Sequence, residues 1–201
     1  MLQAKSENKG NGMSQLPDLE QIEIKSTEAL WAWLEAHHAQ EANVLLVTWK
    51  ATKREWYVSR DAVLDALIAY GWIDGRRYVV DTARTAQLIA PRATQVWAQS
   101  YKDRAEALEA DGRMQPAGRM AVMAGRASGM WDFMADVDRL EVPDDLDSAL
   151  GDARRVWNDL APSYRRNVLR WIKLAKTAPT RDKRIGAATK ATRDGVKIPQ
   201  M

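Results

Sequence analysis

The chain has 201 residues, 46% of them hydrophobic and 28% charged, which suits one compact domain or two small ones. It holds no cysteine, so disulfides, thiolate nucleophiles and Cys-ligated zinc or iron–sulfur clusters are excluded, and no run approaches the roughly 20 apolar residues of a membrane-spanning helix. Thirty Lys and Arg against 27 Asp and Glu give a net charge of +3, distributed unevenly: residues 1–149 carry 17 basic and 23 acidic side chains, a net of −6, and the remainder carries 13 and 4, a net of +9.

Residues 1–20 are polar, with Lys5, Lys9 and Gly10-Asn11-Gly12, and lack the apolar stretch of a secretory signal. They read as a disordered leader of a cytoplasmic protein, and Met13 competes with Met1 as the natural start. Ser26 or Thr27 caps a helix through Leu30, Trp33, Leu34 and His37 that ends near Ala39. Asn43 to Thr52 and Trp56 to Ser59 are β-prone runs with Lys53 and Arg54 between them, which predicts a hairpin. Ser59 caps a second helix with Leu64, Leu67 and Ile68 on its buried face and Gly71 at its end. Two short strands follow, one within Gly71 to Asp81 and one within Thr85 to Pro91.

From Gln95 onward helical spacing takes over. One helix runs through Trp97, Tyr101, Ala105 and Leu108 to Gly112, another from Pro116 to Ala127, and a third opens at Pro143 with Asp144 and Asp145 at its positive end. A last long helix after Pro162 carries Tyr164, Val168, Trp171 and Ile172 on one stripe, and Thr180 to Ile185 starts a further short one. The expected architecture is α+β: a disordered 1–20, a small helix and antiparallel-strand part over 21–94, a mainly helical part of the same compact unit over 95–178 packed against it, and a basic C-terminal segment over 179–201.

The residues carry no recognised catalytic constellation. His37 and His38 are adjacent, so on a helix their side chains diverge by about 100° and no third ligand joins them; no metal site is expected. Neither G-x-S-x-G, G-x-x-x-x-G-K-[ST] nor G-x-G-x-x-G occurs, so no cofactor is expected. Asp74 and Asp81, seven apart, have opposite strand parity and do not read as a catalytic pair. Nine Trp beside one Phe make Trp the main aromatic core filler. The best candidate ligand slot is Trp72, Asp74, Arg76, Arg92 and Trp97, where strands give way to helices, with buried Arg–Asp pairing as the alternative explanation of the same residues. Arg165, Arg166, Arg170 and Lys173 fall mainly outside the apolar stripe of the last long helix and form a candidate anion-binding face, weak and salt-sensitive, with a solvated basic end as the plainer explanation.

Gly71-Trp72-Ile73-Asp74, Pro91-Arg92, Trp97, Gly112-Arg113-Met114-Gln115-Pro116-Ala117-Gly118 and Thr180-Arg181-Asp182-Lys183-Arg184-Ile185 occur in an order that resembles the YdeI or OmpD-associated family, bacterial proteins labelled bacteriocin-protection. The resemblance spans about residues 27–190 and gives Gly71, Met114, Pro116, Gly118, Arg181 and Arg184 structural places in the shared motifs. After Pro-Arg the family carries a Ser-x-Trp-Ser-x-x-Asn-like run, where this chain has Val96-Trp97-Ala98-Gln99-Ser100-Tyr101. The resemblance implies a stress or envelope-protection role and association with a porin, and no catalytic residues. The expectation is a non-enzymatic cytoplasmic binding protein. Its alternatives are a small-molecule enzyme around Trp72, Asp74 and Arg92, and a weak non-specific binder of nucleic acid or anionic surfaces.

Overall fold

A computed structural model describes residues 16–198. The class is α+β, and the chain divides into two compact units. One contains the described residues up to Gln95 together with Asp103–Ala124; the other contains Val96–Lys102 and the described residues from Gly125 onward. The division therefore differs from a single change of character near residue 95. The segment 103–124, helical in sequence, belongs with the strands.

In the first unit, strands β1 (Gln21–Glu23), β2 (Val44–Trp49), β3 (Trp72–Val79) and β4 (Arg84–Pro91) form one sheet in the order β1-β2-β4-β3. β1 runs parallel to β2; the other pairings are antiparallel. Helix α1 (Thr27–His37) starts at Ser26, whose Oγ accepts from the Ala29 amide at 3.1 Å, and helix α2 (Arg60–Ala69) starts at Ser59, whose Oγ accepts from the Ala62 amide at 3.1 Å. Both hydroxyls satisfy an amide that the first helical turn leaves open. α2 packs on α1 and β3. Strand alternation sends Leu45 and Val47 to one face with Ala86, where Leu16 and Leu19 pack over them. Much of the predicted disordered leader, 1–15, lies outside the described residues; its last part, 16–20, is held by that apolar contact and by the Leu45 amide donating to the Glu20 carbonyl at 2.8 Å.

The predicted hairpin over 43–59 does not form. β2 is flanked by β1 on one side and β4 on the other, so no edge is free for a strand at 56–59. Residues Arg54–Trp56 instead make one 3-10 turn, and the Trp56 ring lies 4.5 Å from that of Trp49. The three-residue β1 escaped notice because Gln-Ile-Glu is too short to show alternation.

Helices α3 (Gln99–Ala110) and α4 (Pro116–Ala127) follow the sheet in the chain. Within the first unit, α4 begins against the end of α2: the Gln115 amide donates to the Ala69 carbonyl at 3.1 Å. A Cβ at Gly118 would stand 2.3 Å from the Ala69 oxygen and 2.7 Å from the Ile68 oxygen, so only glycine fits there. Gly71 has φ +73° and faces the Ala117 carbonyl, and Met114 is buried beside Gly118. The motif glycines and Met114 thus belong to one tight crossing.

The second unit is helical: α5 (Ala135–Asp138), α6 (Asp144–Leu150), α7 (Arg154–Asp159), α8 (Pro162–Lys173) and α9 (Ala178–Arg193). Its core gathers Met134, Val137, Leu146, Leu150, Trp157, Val168, Leu169, Ile172 and Ile185. The stretch 179–201, expected to be a basic segment, is for the most part α9, the longest helix of the described residues. Its buried seam is Ile185 followed by small residues, Ala188, Thr189, Ala191 and Thr192, which the surrounding charges disguise in sequence. The chain end returns to this unit, where the Ile198 amide donates to the Tyr164 hydroxyl at 3.0 Å.

Candidate functional site

The five residues of the sequence-derived ligand slot fall in different surroundings. Trp72 at the start of β3 is wholly buried; its Nε1 donates to the His38 carbonyl at 3.1 Å and its ring meets Trp33 edge-on. Asp74 accepts from Gln87 Nε2 at 2.7 Å, and Gln87 Oε1 accepts from Arg77 Nη2 at 3.1 Å. The register shift between Asp74 and Arg77 allows this. Asp74 pairs across to Ile89 and Arg77 to Gln87, so residues three apart share a face. That bulge also breaks the parity count used for Asp74 and Asp81. Asp81 lies past the strand and closes the turn, accepting from the amides of Ala83 and Arg84, and the Arg84 guanidinium holds its carboxyl below the ordinary range. Arg76 is exposed with its guanidinium over the Tyr78 ring, and the Arg92 amide donates to the Gly71 carbonyl at 2.9 Å. Trp97 belongs to the second unit, buried against Gly125 and 4.9 Å from the Trp131 ring.

His37 stacks on Trp33, and both histidines bond backbone carbonyls of their own helix. Among the described residues no three of His, Asp and Glu gather as a metal site would require. Trp72, Trp97, Trp131 and Trp157 are core residues, as the Trp-for-Phe composition implies.

The basic end resolves into charges that are used and charges that are open. Arg181 holds Asp145 with two hydrogen bonds, 2.5 and 2.9 Å, which lower the carboxyl's pKa. Arg184 donates to the Trp171 carbonyl and lies over that ring. Lys190 pairs with Asp194, and Arg193 donates to the Ala149 carbonyl. On α8, residues 166, 170 and 173 follow i, i+4, i+7 and make one stripe, whereas 165 is turned about 100° from 166 toward the buried side, where its Nε has no hydrogen-bond partner.

The stripe faces α5. Lys173 pairs with Asp136 at 2.5 Å; burial is the strongest influence on the Asp136 carboxyl and works to raise it, but the Lys173 hydrogen bond, the Val137 amide and the Lys173 charge together outweigh it and leave the pKa lowered. Arg166 stands 3.8 Å from Asp138. Arg170, between them, is exposed and has no ion-pair partner among the described residues. Val137 lines two small cavities along this edge, one of about 130 Å3 near Lys173 and Arg181 and one of about 80 Å3 near Arg166 and Arg170. Of the four predicted anion-binding residues, three therefore come together and Arg165 does not.

The α5 acids and Asn167 were missed by sequence reasoning. Asp136 and Asp138, facing a basic stripe of later sequence, are the signal that a charge-complement reading would have used.

Residues 139–195 match the family described as Bacteriocin-protection, YdeI or OmpD-Associated, and residues 22–121 match a domain of unknown function. The motifs at Gly71, Pro91 and Gly118 fall in the second match; the motif at Arg181 and Arg184 falls in the first. No curated protein and no solved structure matches the chain. No helix of the described residues is long and apolar enough to cross a membrane.

Proposed function

From the premise that residues 139–195 form a YdeI or OmpD-associated domain, we propose that the chain is a bacterial cytoplasmic binding protein without catalytic activity, serving stress or envelope protection, whose ligand contacts run along Arg166, Arg170 and Lys173. The observation that carries this reading is Arg170: an exposed guanidinium with no ion partner among the described residues, flanked along one helix stripe by two cations that are paired. A guanidinium presents five donors in a fixed fork that matches carboxylate and phosphate oxygens. Phosphate neutralisation alone gives weak, salt-dependent affinity with little preference for sequence. Among the described residues no aromatic ring stands over Arg170, so base stacking is not expected. The porin and bacteriocin connections of the family description enter only as the setting for this role. An enzyme built around Asp74 has less in its favour, because that carboxylate already accepts a short hydrogen bond from Gln87.

The test is an Arg166→Gln, Arg170→Gln double variant. Its binding to a single-stranded oligonucleotide and to vesicles containing anionic lipid is compared with that of the parent at low and moderate salt. The parent is expected to bind at least one probe at low salt and to weaken steeply with added salt, and the double variant to lose about tenfold or more at low salt. No binding by the parent, or undiminished binding by the variant, would contradict the proposal.

A further inference from the structure

The chain contains no cysteine, so methionine is the only sulfur it offers to an oxidant. Met114 and Met134 are buried, at 3% and 4% exposure, and Met130 is half-buried. Met120 and Met123 are instead 70% and 69% exposed, which makes them the two most exposed large apolar side chains among the described residues. Both lie on α4 at i, i+3 and share one face of that helix. At about 100° per residue they stand about 200° and 140° round from Gly118, away from the crossing with α2. The crossing side is built of small residues, Ala117, Gly118 and Ala121, so the packing of α4 there does not use the two methionines. Their thioethers are open to solvent on a helix held by other side chains.

We propose that Met120 and Met123 form an oxidative modification site, at which a peroxide is reduced while the chain keeps its fold; this is independent of the anion-contact reading of α8. The sulfur lone pair attacks one oxygen of hydrogen peroxide as the O–O bond breaks, and that oxygen stays on sulfur as a sulfoxide. The departing hydroxide takes the proton of the transferred hydroxyl and leaves as water, so sulfur loses two electrons and the peroxide gains them. Oxidation turns a flexible apolar side chain into a polar one. At Met120 and Met123 the new oxygen faces water. At Met114 it is forced into the α2–α4 crossing, where the sulfur would stand 2.5 Å from a Cβ at Gly118, and at Met134 it enters the apolar core of the second unit. The same chemistry is therefore a surface mark at the exposed pair and a lesion at the buried residues. Reversal takes the dithiol of a sulfoxide reductase, which becomes a disulfide as the oxygen leaves in water; a chain without cysteine depends on another protein for it.

Treatment of the full chain with excess hydrogen peroxide at neutral pH, followed over time by peptide mass spectrometry, tests this. Met120 and Met123 are expected to gain oxygen at least about tenfold faster than Met114 and Met134. Protein oxidised at the exposed pair is expected to keep its thermal midpoint within about 2 °C, and the Met120→Leu, Met123→Leu double variant, which keeps the apolar surface and removes the sulfur, to unfold with the parent. Sulfoxide reductases with a dithiol are expected to return the pair to its parent mass. Oxidation of Met114 or Met134 as fast as the exposed pair would overturn the proposal. So would a midpoint lowered by about 5 °C or more once only Met120 and Met123 are oxidised, or sulfoxides there that the reductases leave in place.

Discussion

The two units use their polar groups differently. In the first, those the sequence makes conspicuous are consumed by packing. Trp72 Nε1 is spent on the His38 carbonyl, Gln87 bridges Asp74 and Arg77, and Arg104 reaches both Asp61 and Asp65. In the second, along α5 and α8, pairing is incomplete: Asp138 Oδ2 is buried without a hydrogen bond, and Asn167 and Arg170 are exposed with no side-chain partner among the described residues. A dense motif therefore marks a crowded crossing here, and the better site candidate is the place where complementary charges stop short of cancelling.

The sharpest way to break that contrast is at Gly118. Replacing it with Ala puts a methyl against two backbone carbonyl oxygens that cannot swing away, and a loss of about 3 kcal/mol is expected in urea unfolding. Gly112→Ala is the control. Its φ of +68° disfavours a side chain by about 1 kcal/mol, but nothing lies within 4 Å of the added methyl. Equal losses at the two positions would remove the argument that the G-x-M-x-P-A-G run is a packing motif. Ser59→Ala, which deletes the α2 cap, should cost about 1 kcal/mol in the same assay, and Ser59→Asp should restore most of it.

The smallest expected effect concerns Arg181. Its two bonds to Asp145 are partly exposed, so solvent screening limits the pair to roughly 0.5–1 kcal/mol. The Asp145 pKa is lowered in the fold by the Arg181 hydrogen bond, so the stabilisation is complete above the ordinary aspartate value and is lost as pH falls through the folded one. Arg181→Gln should therefore lower stability at pH 7 and approach the parent below about pH 4 as the carboxyl protonates. A deficit that persists unchanged into acid would show that the arginine acts through packing and not through charge.

Elements with a local signature were legible in the sequence. Ser26 and Ser59 announced their helices by cap chemistry, Pro116 and Ala127 bounded α4, and Pro162 opened α8. What could not be read locally was set by distant partners. The hairpin over 43–59 failed because β4, some forty residues on, occupies the edge of β2, and α9 looked like a tail because, beyond Ile185, its buried face is only small residues. The site was half legible for the same reason. Spacing alone places Arg166, Arg170 and Lys173 on one stripe, but the acids that pair with two of them lie on a four-residue helix about thirty residues earlier, too short to show periodicity.

The central claim is that position, and not net charge, makes Arg170 the contact residue. The direct measurement compares Arg170→Gln with Lys176→Gln, each of which removes from the same unit one exposed positive charge that has no ion partner among the described residues, in low-salt binding to the single-stranded oligonucleotide. The account predicts about tenfold weaker binding for Arg170→Gln and a change of less than about twofold for Lys176→Gln. Equal losses for the two variants would contradict it and reduce the basic end to a diffuse positive charge.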